Sequence, residues 1–100
     1  MEKDIRVIYH EFNETSLQTF FSLFNEFRNE ADSIDRDGYE NVFQVLKGKY
    51  IRMLKYRLDQ SAANYIERCS SPELQGRLRI GFTEKITYFV REFIRKSNMI

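Results

Sequence analysis

Three acidic side chains beside a glycine form the first candidate for chemistry in this chain of 100 residues. The segment 32–44 reads DSIDRDGYENVFQ, in which Asp35, Asp37 and Glu40 lie close to Gly38. Calcium prefers carboxylate oxygens as ligands, and a glycine at the centre of a loop permits the sharp turn that gathers them. The segment therefore has to be tested as a calcium-binding loop.

The twelve-residue pattern of the EF-hand calcium loop does not fit this segment. With Gly38 at position 6, the loop would begin at Ser33 and end at Gln44, where the pattern requires carboxylates. We therefore predict no specific calcium binding here. The same residues suit the start of a helix, with Asp37 as N-cap and Glu40 completing the reciprocal bonds of a capping box.

Catalytic and zinc-binding side chains are scarce. The chain contains one histidine, His10, and one cysteine, Cys69, which are far apart in the sequence. A nucleophile with its base, or the four ligands of a zinc site, cannot be assembled from these types at a recognisable spacing. There is also no Gly-rich phosphate loop. We predict that the protein is not an enzyme and holds no cofactor, and that Cys69 is a small core residue.

A five-residue segment, QVLKG at residues 44–48, carries the one resemblance to a known family. It resembles the His-x-Leu-Lys-Gly core of phosphotransfer (HPt) domains, which are all-helical bundles of this size. In this chain Gln44 stands in the place of the histidine and cannot be phosphorylated. The resemblance therefore implies an inactive relative. Alternatively, Gly48 is small because another helix or chain approaches it closely.

A basic run at residues 47–57, KGKYIRMLKYR, is the best positive signal for binding, with five basic and no acidic side chains. On a helix, Lys49, Arg52 and Tyr56 share one outer face. Such a face attracts phosphates, and a tyrosine can stack on an exposed base. The alternative is a solvated face that pairs with acidic side chains of the first helix, such as Glu30. The candidate contacts to a partner or to phosphate are Lys47, Lys49, Arg52, Lys55, Tyr56 and Arg57.

Three helices are expected to position these residues, because apolar side chains recur at steps of three and four. The helices should span about 16–32, 39–69 and 72–96. The third would begin with Ser71 as N-cap and Pro72 at the first helical position. The predicted fold is all-α: a three-helix antiparallel bundle with one long central helix and a short N-terminal arm or helix. All 100 residues should form one domain.

Two segments are ambiguous between helix and strand. Residues 4–12, DIRVIYHEF, have no second strand to pair with, so we predict a short helix or an arm. Thr15 with Gln18 fits a capping box, so the first long helix should start near Ser16. Residues 77–82, RLRIGF, alternate like a strand, but the helical stripe continues through them and favours helix.

Composition and charge bear on location and partners. A single cysteine excludes an internal disulfide, and no stretch approaches the ~18 apolar residues of a membrane span. With no secretory signal at the N-terminus, we predict a soluble, cytoplasmic protein without membrane contact. Residues 1–40 carry a net charge of −6 and residues 41–100 a net charge of +7. The basic part either packs beside the acidic part or faces an acidic partner.

The predicted function is a non-enzymatic protein-interaction module, adaptor or regulatory, that forms a homodimer. The central helix has apolar residues outside its main stripe, and the three apolar turns at 17–27 are too short to cover it. The candidate self-association residues are Val45, Gly48, Ile51 and Met53. The competing arrangement is an N-terminal arm that folds back and covers the excess apolar surface of the central helix. The arm would do so through Ile5, Val7, Ile8 and Phe12. The alternative function is a small nucleic-acid-binding accessory protein that uses residues 47–57.

Overall fold

The computed structural model contains three α-helices and describes residues 4–34 and 38–100. Helix α1 spans Ile5–Asp32, α2 spans Tyr39–Glu67 and α3 spans Pro72–Ser97. Within the described ranges no strand is formed. The fold is the all-α three-helix bundle that the periodicity predicted.

Aromatic contacts establish how the helices run. Phe12 near the start of α1 contacts Tyr65 near the end of α2, with ring centroids 6.3 Å apart. At the other end, Phe27 of α1 contacts Phe43 at 5.5 Å, so α1 and α2 are antiparallel. Phe27 also contacts Phe93 near the end of α3 at 5.7 Å. Helix α3 is therefore parallel to α1 and antiparallel to α2, and the bundle measures 57 × 18 × 17 Å.

The first helix is longer than predicted. α1 begins at Ile5, behind Asp4 as N-cap, and not near Ser16. The capping box expected at Thr15 and Gln18 is wrong, because both residues lie inside the helix. A capping motif acts only where the chain leaves the helical path, and here continued burial of apolar side chains keeps it helical.

Ile8 and Phe12 explain why the helix continues towards the N-terminus. They extend the apolar stripe of α1 by two turns and are only 5% and 0% exposed. Residues 4–12 are therefore the first turns of α1 and not a separate arm. Their burial lets α1 cover α2 over nearly its whole length, which the three predicted turns could not do.

The start of α2 also differs slightly from the prediction. Gly38 occupies the N-cap position, with φ 75° and ψ 15° and no side-chain cap. The expected N-cap, Asp37, is wrong by one position, and residues 35–37 lie outside the described part of the chain. A positive φ favours glycine because it has no Cβ, which explains Gly38. Glu40 lies in the first turn, where the helix dipole favours an acid.

The start of α3 agrees with the sequence. Ser71 is the N-cap, and its Oγ accepts a hydrogen bond from the Leu74 backbone N–H at 3.3 Å. Pro72 is the first helical residue, and residues 77–82 are helical as predicted. Ser71 accepts a hydrogen bond from one backbone N–H of the first turn, and Pro72 has no backbone N–H. Fewer N–H groups are therefore left without a partner where the helix begins.

A single apolar core runs along the bundle axis. Its largest fully buried side chains are aromatic and leucine residues: Phe12, Phe27, Phe82, Phe93, Leu23, Leu54, Leu58 and Leu78. Burying one such side chain is worth roughly 1.5–3 kcal/mol. Cys69 belongs to this core at 7% exposure, as its place on the stripe predicted.

Candidate interaction surfaces

The outer side of α2 carries the basic run. Five of its six candidate contact residues are exposed, and Lys47 is half-buried. The Lys47 Nζ donates a hydrogen bond to Oδ1 of Asn98, just beyond α3. The Lys49 Nζ lies 3.9 Å from Oε1 of Glu30 on α1. These two cations therefore have partners within the chain, and for Lys49 the pairing with the acidic first helix is found.

The remaining part of the run stays in solvent. No described residue forms an ion pair with Arg52, Lys55 or Arg57, and Tyr56 is 66% exposed. We call Arg52, Lys55, Tyr56 and Arg57 the basic face. Such unpaired cations beside an exposed aromatic ring can attract phosphate and stack on a base.

A buried tyrosine connects α1 and α2 next to the basic face. Tyr50 is 2% exposed, and its hydroxyl donates a hydrogen bond to Glu30 Oε1 at 2.6 Å. Burial, this hydrogen bond and the negative charges of Glu30 and Glu26 raise the pKa of Tyr50 to about 12. Lys49 completes the group, with its Nζ 5.4 Å from the Tyr50 ring centroid. The arrangement holds the two helices together and contains no reactive group.

The predicted self-association residues do not form one exposed apolar surface. Val45 is 72% exposed, but Ile51 and Met53 pack against the core. At Gly48 an added Cβ would meet only Arg52 of the same helix, at 3.3 Å. No other described helix therefore approaches Gly48 closely, and the packing reason suggested for it is not found among residues 4–34 and 38–100.

An open groove lies between α1 and α3, and sequence reasoning missed it. Its volume is about 680 Å³. Its lining, which we call the α1/α3 groove, consists of Ile5, Arg6, Tyr9, Arg77, Ile80, Gly81, Glu84, Lys85 and Tyr88. Ile80 and Tyr88 project into solvent at 66% and 56% exposure. A large apolar side chain at that exposure, next to a concave surface, is available to a partner.

Tyr9 and Gly81 form the floor of the α1/α3 groove. The Tyr9 hydroxyl donates a hydrogen bond to the backbone oxygen of Arg77 at 2.9 Å, and its ring meets Phe82 edge-on at 5.7 Å. A Cβ added at Gly81 would lie 2.6 Å from Cζ and Cε1 of Tyr9, and nearer still to its hydroxyl oxygen. Only glycine leaves room for this ring. A glycine in mid-helix, with no turn to explain it, was the available sequence signal.

The rim of the α1/α3 groove carries more positive than negative charge. Arg6 is neutralised by Asp4, with Nη2 and Oδ2 3.1 Å apart, and hydrogen bonds from Arg6 lower the pKa of the Asp4 carboxyl. Neither Arg77 nor Lys85 forms an ion pair with any described residue. Glu84 is the one acidic side chain among the described lining residues. The described part of the rim therefore has two cations without an ion-pair partner against one anion.

Beyond the groove, Lys96 of α3 lies over aromatic rings of α1. The Lys96 Nζ lies 5.6, 5.2 and 5.9 Å from the ring centroids of Phe20, Phe21 and Phe24. Each cation–π contact is worth about 0.5–1 kcal/mol. Phe21 stays 49% exposed, so apolar surface is also accessible outside the groove.

Residues considered for metal binding or catalysis are not brought together. Across residues 4–34 and 38–100, no group of three or more His, Cys, Asp or Glu side chains could hold a metal ion. His10 is exposed whereas Cys69 is buried. The acidic part of the calcium candidate, residues 35–37, lies outside the described ranges. None of the described helices is long and apolar enough to cross a membrane.

Comparisons with protein-family models, curated proteins and solved structures found no match for this chain. The resemblance of residues 44–48 to phosphotransfer domains is thus not accompanied by a family match. α2 also passes through this segment without a break, and Gln44 is exposed on its surface.

Proposed function

We propose that this chain is a non-enzymatic protein-interaction module whose binding surface is the α1/α3 groove. The observation that carries the proposal is the open, mainly apolar groove with Ile80 and Tyr88 exposed at its edge. Isolated apolar residues on a surface need no explanation, but an apolar concavity with a charged rim is typical of a binding site. The chain contains one cysteine, which favours a reducing compartment, and we propose a cytoplasmic location.

Site-specific photo-crosslinking tests this function. A photoreactive amino acid in place of Ile80 should capture a protein from an extract of the source cells, and excess unlabelled protein should suppress the capture. The matched control carries the same group in place of Ala63, which is exposed on α2 and does not line the groove. Equal adducts from both positions, or none from Ile80, would contradict the proposal.

Self-association remains a prediction within this proposal, although its basis is narrower than the sequence suggested. α1 covers α2 along most of its length, and Ile51 and Met53 are used within the chain. The exposed large aliphatic side chains of α2 are Val42 and Val45, at 50% and 72% exposure. Sedimentation equilibrium at micromolar concentration separates a monomer of 12.1 kDa from a dimer of twice that mass. If the dimer forms there, Val45→Lys should dissociate it.

A second candidate function is nucleic-acid binding by the basic face. It is favoured by the unpaired Arg52, Lys55 and Arg57 beside the exposed ring of Tyr56. Labelled single-stranded DNA and RNA should then bind with an affinity that falls as salt rises. Replacing the three cations by Gln should reduce the slope of log affinity against log salt by about two units.

The control for this second function changes exposed cations elsewhere. Arg79 and Arg91 lie on α3, are exposed, and line neither surface. Their replacement by Gln should affect affinity much less than the changes on the basic face. Equal effects from both sets would indicate non-specific attraction by net charge. Complete lack of binding at low salt would remove this candidate.

A further inference from the structure

We propose that the α1/α3 groove binds an amphipathic helix with acidic flanks, contributed by a different protein. This inference rests on the proposed function and specifies its partner. It follows from the length of the groove, the sign of its rim charge, the fixed shape of its floor and the positive charge of the basic face on α2.

The dimensions of the groove suit about three turns of a helix. Its α3 side runs from Arg77 to Tyr88, roughly 16 Å at about 1.5 Å per residue. Beyond that point the Lys96 Nζ lies over the rings of Phe20, Phe21 and Phe24, which do not line the groove. A helix lying in a groove anchors itself through apolar side chains at i, i+4 and i+7, which span about 10 Å. Such an occupant fits within the available length.

The positive charge of the rim favours acidic side chains on the flanks of that helix. Arg77 and Lys85 lie on the α3 side without partners among the described residues, whereas the charge of Arg6 is met by Asp4. An acidic side chain on the occupant would compensate an existing cation, and a basic side chain would add repulsion. Complementary charge of this kind mainly sets specificity and association rate. It therefore favours a helix with acidic flanks over one with basic flanks.

A second copy of this chain is a poor occupant for the same electrostatic reason. The exposed aliphatic side chains of α2, Val42 and Val45, lie on the same helix as the unpaired cations of the basic face. Placing α2 of another copy in the groove would bring that cationic helix towards Arg77 and Lys85. Like charges at a contact disfavour the pairing. On the acidic helix α1 the exposed large apolar side chains are Val7 and Phe21, 14 residues apart, so α1 of another copy cannot supply anchors at i, i+4 and i+7. The occupant therefore comes from another protein.

The floor of the groove is already in a fixed shape. Tyr9 is held by its hydrogen bond to the Arg77 backbone oxygen and by the edge-on contact with Phe82, in the space that Gly81 leaves free. An occupant need not order this ring on binding. A preorganised surface loses less conformational entropy on association, which favours measurable affinity for a short helix.

Synthetic peptides test the inference directly. The probe is a fluorescent helical peptide of about 16 residues, with Leu at i, i+4, i+7 and i+11 and Glu on both flanks. The matched peptide has Lys in place of every Glu. Fluorescence anisotropy with the full chain should show the acidic peptide binding at least tenfold more tightly than the basic one. Amide shifts in NMR spectra should concentrate on the groove residues.

Two variants of the protein complete the test. Ile80→Gln should weaken the acidic peptide at least tenfold, because it removes an exposed apolar contact without adding charge. Arg77→Gln combined with Lys85→Gln should remove most of the preference for the acidic peptide. Arg79→Gln combined with Arg91→Gln is the control and should retain it. Circular dichroism confirms that each variant is folded.

Three results would overturn the inference: no binding of the acidic peptide at about 1 mM, equal affinity for both peptides, or affinity unaffected by Ile80→Gln. Its failure can be distinguished from failure of the proposed function. If a photoreactive group at Ile80 captures a protein while the acidic peptide does not bind, the interaction module stands and the acidic helix is the wrong partner. If neither experiment succeeds, both fail.

Discussion

Replacing Gly81 by alanine tests the packing that shapes the α1/α3 groove. Alanine at an interior helical position normally stabilises a helix by about 1 kcal/mol relative to glycine. At Gly81, however, the new Cβ would lie 2.6 Å from two atoms of the Tyr9 ring. This separation is too short for any real contact, so the ring would have to move. The substitution therefore opposes helix propensity with the cost of displacing Tyr9.

The cost can be estimated from the contacts that Tyr9 would lose. Its hydrogen bond to the Arg77 backbone oxygen is worth about 1 kcal/mol, and its edge-on contact with Phe82 about 0.5–1.5 kcal/mol. Against the gain of about 1 kcal/mol in helix propensity, Gly81→Ala should destabilise the protein by about 1 kcal/mol. The ring can swing towards solvent, which keeps the cost from being larger.

Gly76 provides a matched control on the same helix. It lies in α3, is exposed, and an added Cβ would meet nothing within 4 Å. Gly76→Ala should therefore stabilise by about 1 kcal/mol, so that the two substitutions differ by about 2 kcal/mol. Urea denaturation followed by circular dichroism measures both. For a domain of this size the difference corresponds to about 8–16 °C in Tm.

A double substitution isolates the role of Tyr9. In a Tyr9→Ala background the obstacle is gone, and Gly81→Ala should become stabilising, as at Gly76. The reasoning would be refuted if Gly81→Ala in the wild-type background stabilises as much as Gly76→Ala. It would also be refuted if removing Tyr9 leaves the effect of Gly81→Ala unchanged.

Three further predictions concern the core and the contact between α1 and α2. Ser16 is 0% exposed and its Oγ has no hydrogen-bond partner among the described residues, so Ser16→Ala should be neutral or stabilising by up to about 1 kcal/mol in urea denaturation. Ser97 is equally buried, but its Oγ donates to the Ile94 backbone oxygen at 2.8 Å, so Ser97→Ala should cost about 1 kcal/mol more than Ser16→Ala; equal effects would contradict this. Because the folded state raises the pKa of Tyr50 to about 12, its contribution is complete below pH 10 and is lost as the pH rises from 10 to 12. Over that range the wild-type protein should lose about 2–3 kcal/mol more stability than Tyr50→Phe, and parallel pH profiles would disprove the assignment.

The repeat of apolar side chains at three and four residues was sufficient to predict the fold. It identified three helices because each needs one apolar face for a shared core, a local property of the sequence. The start of α3 could be predicted for a similar reason, since Ser71 and Pro72 act on the backbone next to them. The exposure of Arg52, Lys55 and Tyr56 likewise follows from their position opposite the apolar face of α2.

The start of α1 and the α1/α3 groove depended on the tertiary structure. Thr15 and Gln18 have the right types for a helix start, but Ile8 and Phe12 are buried only because α2 and α3 extend far enough to cover them. The groove could not be read from either helix alone, because Tyr9 and Gly81 are 72 residues apart and meet only when α1 and α3 lie side by side. Helix periodicity specifies which face of each helix is buried. The depth and charge of the space between two helices depend on their relative position, which the packing of the whole core determines.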